Sequence, residues 1–205
     1  MKAPVCILTL FLLVFAHSQA ASSSVVFTHP NPQAGAEFGS SMAFVGDVNG
    51  DGVPDLLVGA PKQDVGANLE QRQAYLISGA TGALIQTLDN PFPQAEAKFG
   101  ASVASAGDVD GDGINDLLIG APGQRIGTSG CSVGRAFVFS GKIGDNGLLL
   151  HVLDHPSPAA GAFFGWAVAS GGGKLIVGAP GQNVTLHVPG KFLFLAAPAL
   201  ACFFL

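Results

Sequence analysis

Apolar positions fall in short, strand-length runs. In the first instance Ser40 to Gly46 is followed by an acidic stretch, then by Leu56-Leu57-Val58, Ala74-Tyr75-Leu76-Ile77 and Ala83 to Leu88. No segment shows a sustained 3.6-residue periodicity, and the connections are rich in glycine, as in Gly79-Ala80-Thr81-Gly82 between the last two runs. The pattern predicts four strands joined by tight turns, and it then repeats.

His29 to Gly39 recurs as Asn90 to Gly100 and as His155 to Gly165, with Pro, Pro, Ala, Ala, Phe and Gly in register in all three. Twenty residues after Gly39 stands Gly59-Ala60-Pro61, and the same interval separates Gly100 from Gly120-Ala121-Pro122. Repetition at this period predicts stacked equivalent units, and four antiparallel strands per unit predict propeller blades in an all-β fold. The units run over about 29–89, 90–154 and 155–195, so the chain supplies about three blades. Val25 to Thr28 aligns with the end of the later units, so a fourth-strand sequence precedes the first complete unit.

Asp47, Asn49, Asp51, Gly52 and Asp55 form D-x-N-x-D-G-x-x-D, and Asp108, Asp110, Asp112, Gly113 and Asp116 repeat it 61 residues later. Side-chain oxygens at alternate positions, a glycine at the bend and a closing carboxylate suit a hard cation such as Ca²⁺. Seven of the fourteen acidic residues of the chain lie in these loops, where a bound cation would relieve their mutual repulsion. An EF-hand would need flanking helices and a glutamate at its twelfth position, which is Val58 or Ile119 here, inside apolar runs. The third unit is shorter by seven residues, and Gly171-Gly172-Gly173 replaces the acidic loop. The expectation is two cation sites.

The Phe-Gly and Gly-Ala-Pro frame around such loops resembles the FG-GAP repeat, known from the propeller of integrin α subunits and from the propeller part of glycosylphosphatidylinositol-specific phospholipase D. The resemblance covers roughly residues 25–195. It implies a β-propeller whose loops hold Ca²⁺ as a structural ion. The ligands it implies are Asp47, Asn49, Asp51 and Asp55 with the Val53 carbonyl, then Asp108, Asp110, Asp112 and Asp116 with the Ile114 carbonyl. It also implies ligand contacts largely at the opposite end of the propeller. Nothing corresponds to the catalytic domain of the phospholipase relatives, so the expectation is a binding or adhesion module and no enzyme.

Met1 to Ala20 has the layout of a secretory signal, with Lys2, an apolar run and Ser18-Gln19-Ala20, which predicts a secreted protein of about 21–195 followed by an apolar tail, 196–205. In a secreted chain Asn183-Val184-Thr185 is a glycosylation acceptor. The tail reads as a last strand with an apolar end, as a removable lipid-anchor signal, or as an abnormal end of a truncated chain. Cys131 and Cys202 lack metal-type spacing and could form at most one disulfide of the secreted chain. A net charge of -5 without a basic run excludes a phosphate-binding surface and a nucleic-acid partner.

Gly130-Cys131-Ser132-Val133-Gly134 matches a hydrolase G-x-S-x-G pattern, but in an all-β repeat it lacks the strand-to-helix context of that nucleophile. The partner expected is an extracellular protein or glycan. The alternative is an incomplete unit that assembles with another chain, for instance two copies giving six blades, since closed propellers need at least four.

Overall fold

The structure, a computed structural model, describes residues 24–64, 72–127 and 132–181, together with the backbone of two later strands. Twelve strands form three antiparallel four-stranded sheets, and the described residues contain no helix. The first blade is β1 (Ser41–Gly46), β2 (Asp55–Ala60), β3 (Gln73–Ile77) and β4 (Leu84–Asp89), paired in that order. The second is β5 (Ser102–Gly107), β6 (Asp116–Ala121), β7 (Arg135–Phe139) and β8 (Leu149–Asp154). The third is β9 (Val168–Gly171), β10 (Lys174–Ala179), β11 (Lys191–Ala196) and β12 (Ala201–Phe203).

The fold is therefore all-β with the four-strand blades expected from the repeat. Residues 201–203, read from sequence as part of an apolar tail, form β12 against Phe194 to Ala196. Residues 24–29 carry a fourth-strand sequence yet belong to none of the strands among the described residues. The signal segment, Cys131 and Asn183 lie outside the described residues.

Sequence pattern and burial agree strand by strand. Every residue of β2 and β6 is buried, as continuous apolar runs in central strands should be, whereas β4 and β8 are partly exposed at the outer edge. The inner strands β1, β5 and β9 stand side by side and stack the blades. Alternation along β6 divides its residues between two cores: Leu117 and Ile119 face blade 1, with Phe99, Phe137 and Phe139, while Leu118 faces blade 3, with Phe164, Leu175 and Val177. Phe99 and Phe164 are fully buried. Each fills the joint between its own blade and a neighbour.

Within the Gly-Ala-Pro segment, Gly59-Ala60 is the end of β2 and only Pro61 lies beyond the strand. The reason for glycine is the next blade. A Cβ on Gly59 would lie 2.0 Å from the Gly100 carbonyl oxygen, and one on Gly120 would lie 2.1 Å from that of Gly165. The Ser41 and Ser102 hydroxyls donate to those same two carbonyls, each at 2.8 Å. The Phe-Gly turn of one blade thus seats on the bare Cα of the Gly-Ala-Pro segment before it.

Candidate metal centre

Both acidic loops follow a bulge at the end of an inner strand, between Phe44 and Gly46 in β1 and between Ser105 and Gly107 in β5. Their carboxylates organise the turn by accepting backbone N–H groups that no strand can pair. Asp47 accepts from Gly50, Asp51 and Gly52 at 2.7 to 3.0 Å. Asp108 accepts from Gly111 and Gly113 at 2.7 and 3.0 Å. Asp51 and Asp112 accept from Val53 and Ile114, each at 2.9 Å.

The closing carboxylates go deepest. Asp55 and Asp116 are fully buried at the starts of β2 and β6. Asp55 accepts from Val48 and Asn49 in its own loop and from Gly79 in the β3–β4 turn. Asp116 accepts from Val109 and from Gly141 in the β7–β8 turn. Each therefore ties both turns at one end of its blade. Burial pushes the Asp116 carboxyl above its ordinary range, with the Asp110 charge acting the same way and the N–H donors of Val109 and Gly141 opposing it.

The loops differ at one position. Asn49 in the first donates its amide to Asp51 at 2.8 Å and approaches Asp55 at 3.5 Å, and it holds the Asp51 carboxyl below its usual range together with the Val53 N–H. Asp110 in the second has no proton to offer. Carboxylate oxygens of Asp108, Asp110 and Asp116 instead lie within 4.8 Å of one another. Asp112 stands apart from this trio, with Lys142 Nζ at 3.8 Å.

Surroundings differ as well. Asn115 of the second loop lies against Gly46 at the entrance to the first. The second loop has no third loop beside it, because blade 3 turns back at Gly172 and Gly173, both at positive φ (59° and 70°). A cleft of about 410 Å³ opens there between Asp108, Asp110 and the β9–β10 hairpin.

Ser132 forms an antiparallel bridge with Arg125 before β7, and no helix follows it among the described residues. The sequence reading left one set of polar residues unassigned. Buried Asn90 donates to buried Gln124 at 2.9 Å, joining the start of a repeat to the second residue after its Gly-Ala-Pro segment. His29 and Gln63 are the equivalents in the first repeat, where burial lowers the His29 pKa and the neighbouring Gln63 side chain opposes it. The matching place of His29 with Asn90 and of Gln63 with Gln124 was the available signal.

Family comparison completes the picture. The family model for the FG-GAP repeat matches residues 38–72 and 99–139, the two segments that carry the loops. The chain carries FG-GAP repeats. The similar proteins include integrin alpha-PS5 of Drosophila melanogaster, 42% identical over 45% of this chain and 9% of that protein. Integrin alpha-IIb of Homo sapiens is 36% identical over 74% of the chain and 15% of its own length. Integrin alpha-5 of Xenopus laevis is 30% identical over 86% of the chain and 18% of its own length. The chain thus spans under a fifth of these relatives. Its FG-GAP blades are of the kind found in integrin α subunits, and no helix among the described residues is long and apolar enough to cross a membrane.

Proposed function

We propose that this chain is a secreted extracellular binding or adhesion module that two Ca²⁺ ions stabilise, and that it is not an enzyme. The observation that carries the reading is the convergence of Asp108, Asp110 and Asp116. Three carboxylates this close repel one another unless a cation neutralises them, and an all-oxygen donor set fits a hard divalent ion. The second site would be held by Asp108, Asp110, Asp112 and Asp116 with the Ile114 carbonyl, the first by Asp47, Asn49, Asp51 and Asp55 with the Val53 carbonyl. The ion supplies positive charge at the point where Asp55 or Asp116 already ties two turns together. The blade edge then presents a fixed surface to a partner.

That partner, an extracellular protein or glycan, is assigned to the end away from the acidic loops. There a cleft of about 270 Å³ is lined by Glu37, Lys62, Arg72, Lys98 and Trp166, drawn from all three blades. Trp166 is half exposed and packs edge-on against Phe163. Signal cleavage after Ala20 and glycosylation at Asn183 belong to the same reading.

The test is thermal unfolding in excess Ca²⁺ and in chelator, for the wild type and for Asp51→Ala/Asp112→Ala. A Ca²⁺-dependent rise in melting temperature that disappears in the double variant supports the reading. A cooperative transition indifferent to Ca²⁺ reduces the loops to ordinary turns.

A further inference from the structure

The two acidic loops call for a cation to different degrees, and one residue makes most of the difference. In the first loop the Asp51 N–H donates to Asn49 Oδ1 at 2.9 Å, which fixes the amide and turns its Nδ2 toward the Asp51 carboxylate at 2.8 Å. The same nitrogen approaches Asp55 at 3.5 Å. Amide protons therefore stand between two carboxylates where positive charge is otherwise needed. The remaining acceptors of this loop are also well supplied. Asp47 accepts from Gly50, Asp51 and Gly52, and Asp51 accepts from the Val53 N–H and from the Ser78 hydroxyl at 3.3 Å.

At the matching position of the second loop, Asp110 adds a fourth carboxylate and donates nothing from its side chain. Asp110 accepts the Asp112 N–H at 3.1 Å, and Asp108 accepts only from Gly111 and Gly113 among the described residues. No side-chain amide or hydroxyl among the described residues donates to these carboxylates. Lys142 at 3.8 Å from Asp112, and Lys174 on the wall of the neighbouring cleft, are exposed ammonium groups. Exposed pairs of this kind neutralise little. Negative charge is thus largely met within the first loop and left unmet in the second, where Asp108, Asp110 and Asp116 crowd together.

We infer that the two loops take up Ca²⁺ in order, the second before the first, and that the residue at the third loop position, Asp110 or Asn49, sets that order. The inference rests on the calcium reading above. Affinity in an all-oxygen loop rises with the number of charged ligands, and the second loop offers one more. In the first loop the Asn49 amide must also release Asp51, a cost that the second loop lacks. Between the two affinities the chain holds a single ion, with blade 2 braced by that ion and blade 1 by Asn49.

Calorimetric titration of the full chain with Ca²⁺, with equilibrium dialysis for the number of ions bound, should show two steps separated by roughly 10- to 100-fold in dissociation constant. Asp112→Ala should remove the tighter step and Asp51→Ala the weaker one. Neither side chain belongs to a core, and cooperative unfolding in chelator checks that each variant folds. The exchange Asn49→Asp/Asp110→Asn keeps an oxygen acceptor at both positions and should invert the order, so that Asp51→Ala then removes the tighter step. Coincident steps in the wild type overturn the inference, as does a tighter step that Asp51→Ala removes from the wild type or an order that the exchange leaves unchanged. Each of these leaves the calcium reading standing, whereas a wild type that binds no Ca²⁺ overturns both.

Discussion

Blades 1 and 2 share a frame so closely that their differences stand out against it. Asp55 and Asp116, Gly59 and Gly120, and Ser41 and Ser102 match in identity and in the kind of backbone contact they make, Asp55 accepting one N–H more than Asp116. Asn49 against Asp110 and Tyr75 against Phe137 do not match. The matched residues all engage backbone atoms, whose positions the strand ladder dictates. The unmatched ones engage other side chains or await a counter-charge. Repetition in this protein is therefore strictest where a side chain serves the main chain of another segment.

The largest effect should come from the buried carboxylates. Asp55→Ala strands the N–H groups of Val48, Asn49 and Gly79, and should destabilise the chain by at least about 3 kcal/mol in chemical denaturation. Asp116→Ala strands those of Val109 and Gly141 and should cost about 1 kcal/mol less. Equal losses would break the view that hydrogen-bond number sets the difference. Gly59→Ala and Gly120→Ala should each cost about 1 to 3 kcal/mol, because the new methyl meets the next blade's backbone. If either is neutral, the seating of one blade on the bare Cα of another is wrong.

Exchanging the residues that differ probes the loops more gently. In chelator, Asn49→Asp should lower the melting temperature and Asp110→Asn should raise it, each by roughly 2 to 4 °C, since one adds a repelling charge and the other removes one. In excess Ca²⁺ the order should reverse, with Asp110→Asn losing part of the stabilisation while still binding, as the first loop does with Asn49 at that position. The same sign in both conditions would count against cation binding.

The smallest effect concerns Tyr75, the single tyrosine of the chain, whose hydroxyl donates to Gln73 at 2.7 Å. Burial, and then the Asp89 charge, pushes its pKa up to about 12. A raised pKa means that the folded chain holds the phenol proton more tightly. The associated stability is complete below the ordinary value of about 10 and is lost as pH climbs through about 12. Tyrosinate absorbance of the folded protein should therefore titrate near the upper value. Tyr75→Phe, which makes the position like Phe137, should cost about 1 kcal/mol at neutral pH and abolish the titration.

Most of the strand plan was legible before any coordinates. The runs beginning near Ser40, Leu56, Ala74 and Ala83 became β1 to β4 within one or two residues, because period-two alternation, buried apolar runs and glycine turns are local signals. The shortened third hairpin was legible for the same reason. The candidate site was legible as two sets of residues but not as geometry. Asn49 and Asp110 occupy the same place in the pattern, yet only coordinates show one bridging its neighbours and the other crowding them.

By itself, then, the sequence determined the repeat period, the number of blades, the strand boundaries and the positions of the acidic loops, since each depends on residues close together along the chain. Tertiary structure alone decided why Gly59 and Gly120 carry no side chain and why Asp55 and Asp116 lie buried. Those outcomes depend on the distance between backbones 24 to 45 residues apart. Local pattern is silent on that distance, and blade stacking sets it to within the width of one methyl group.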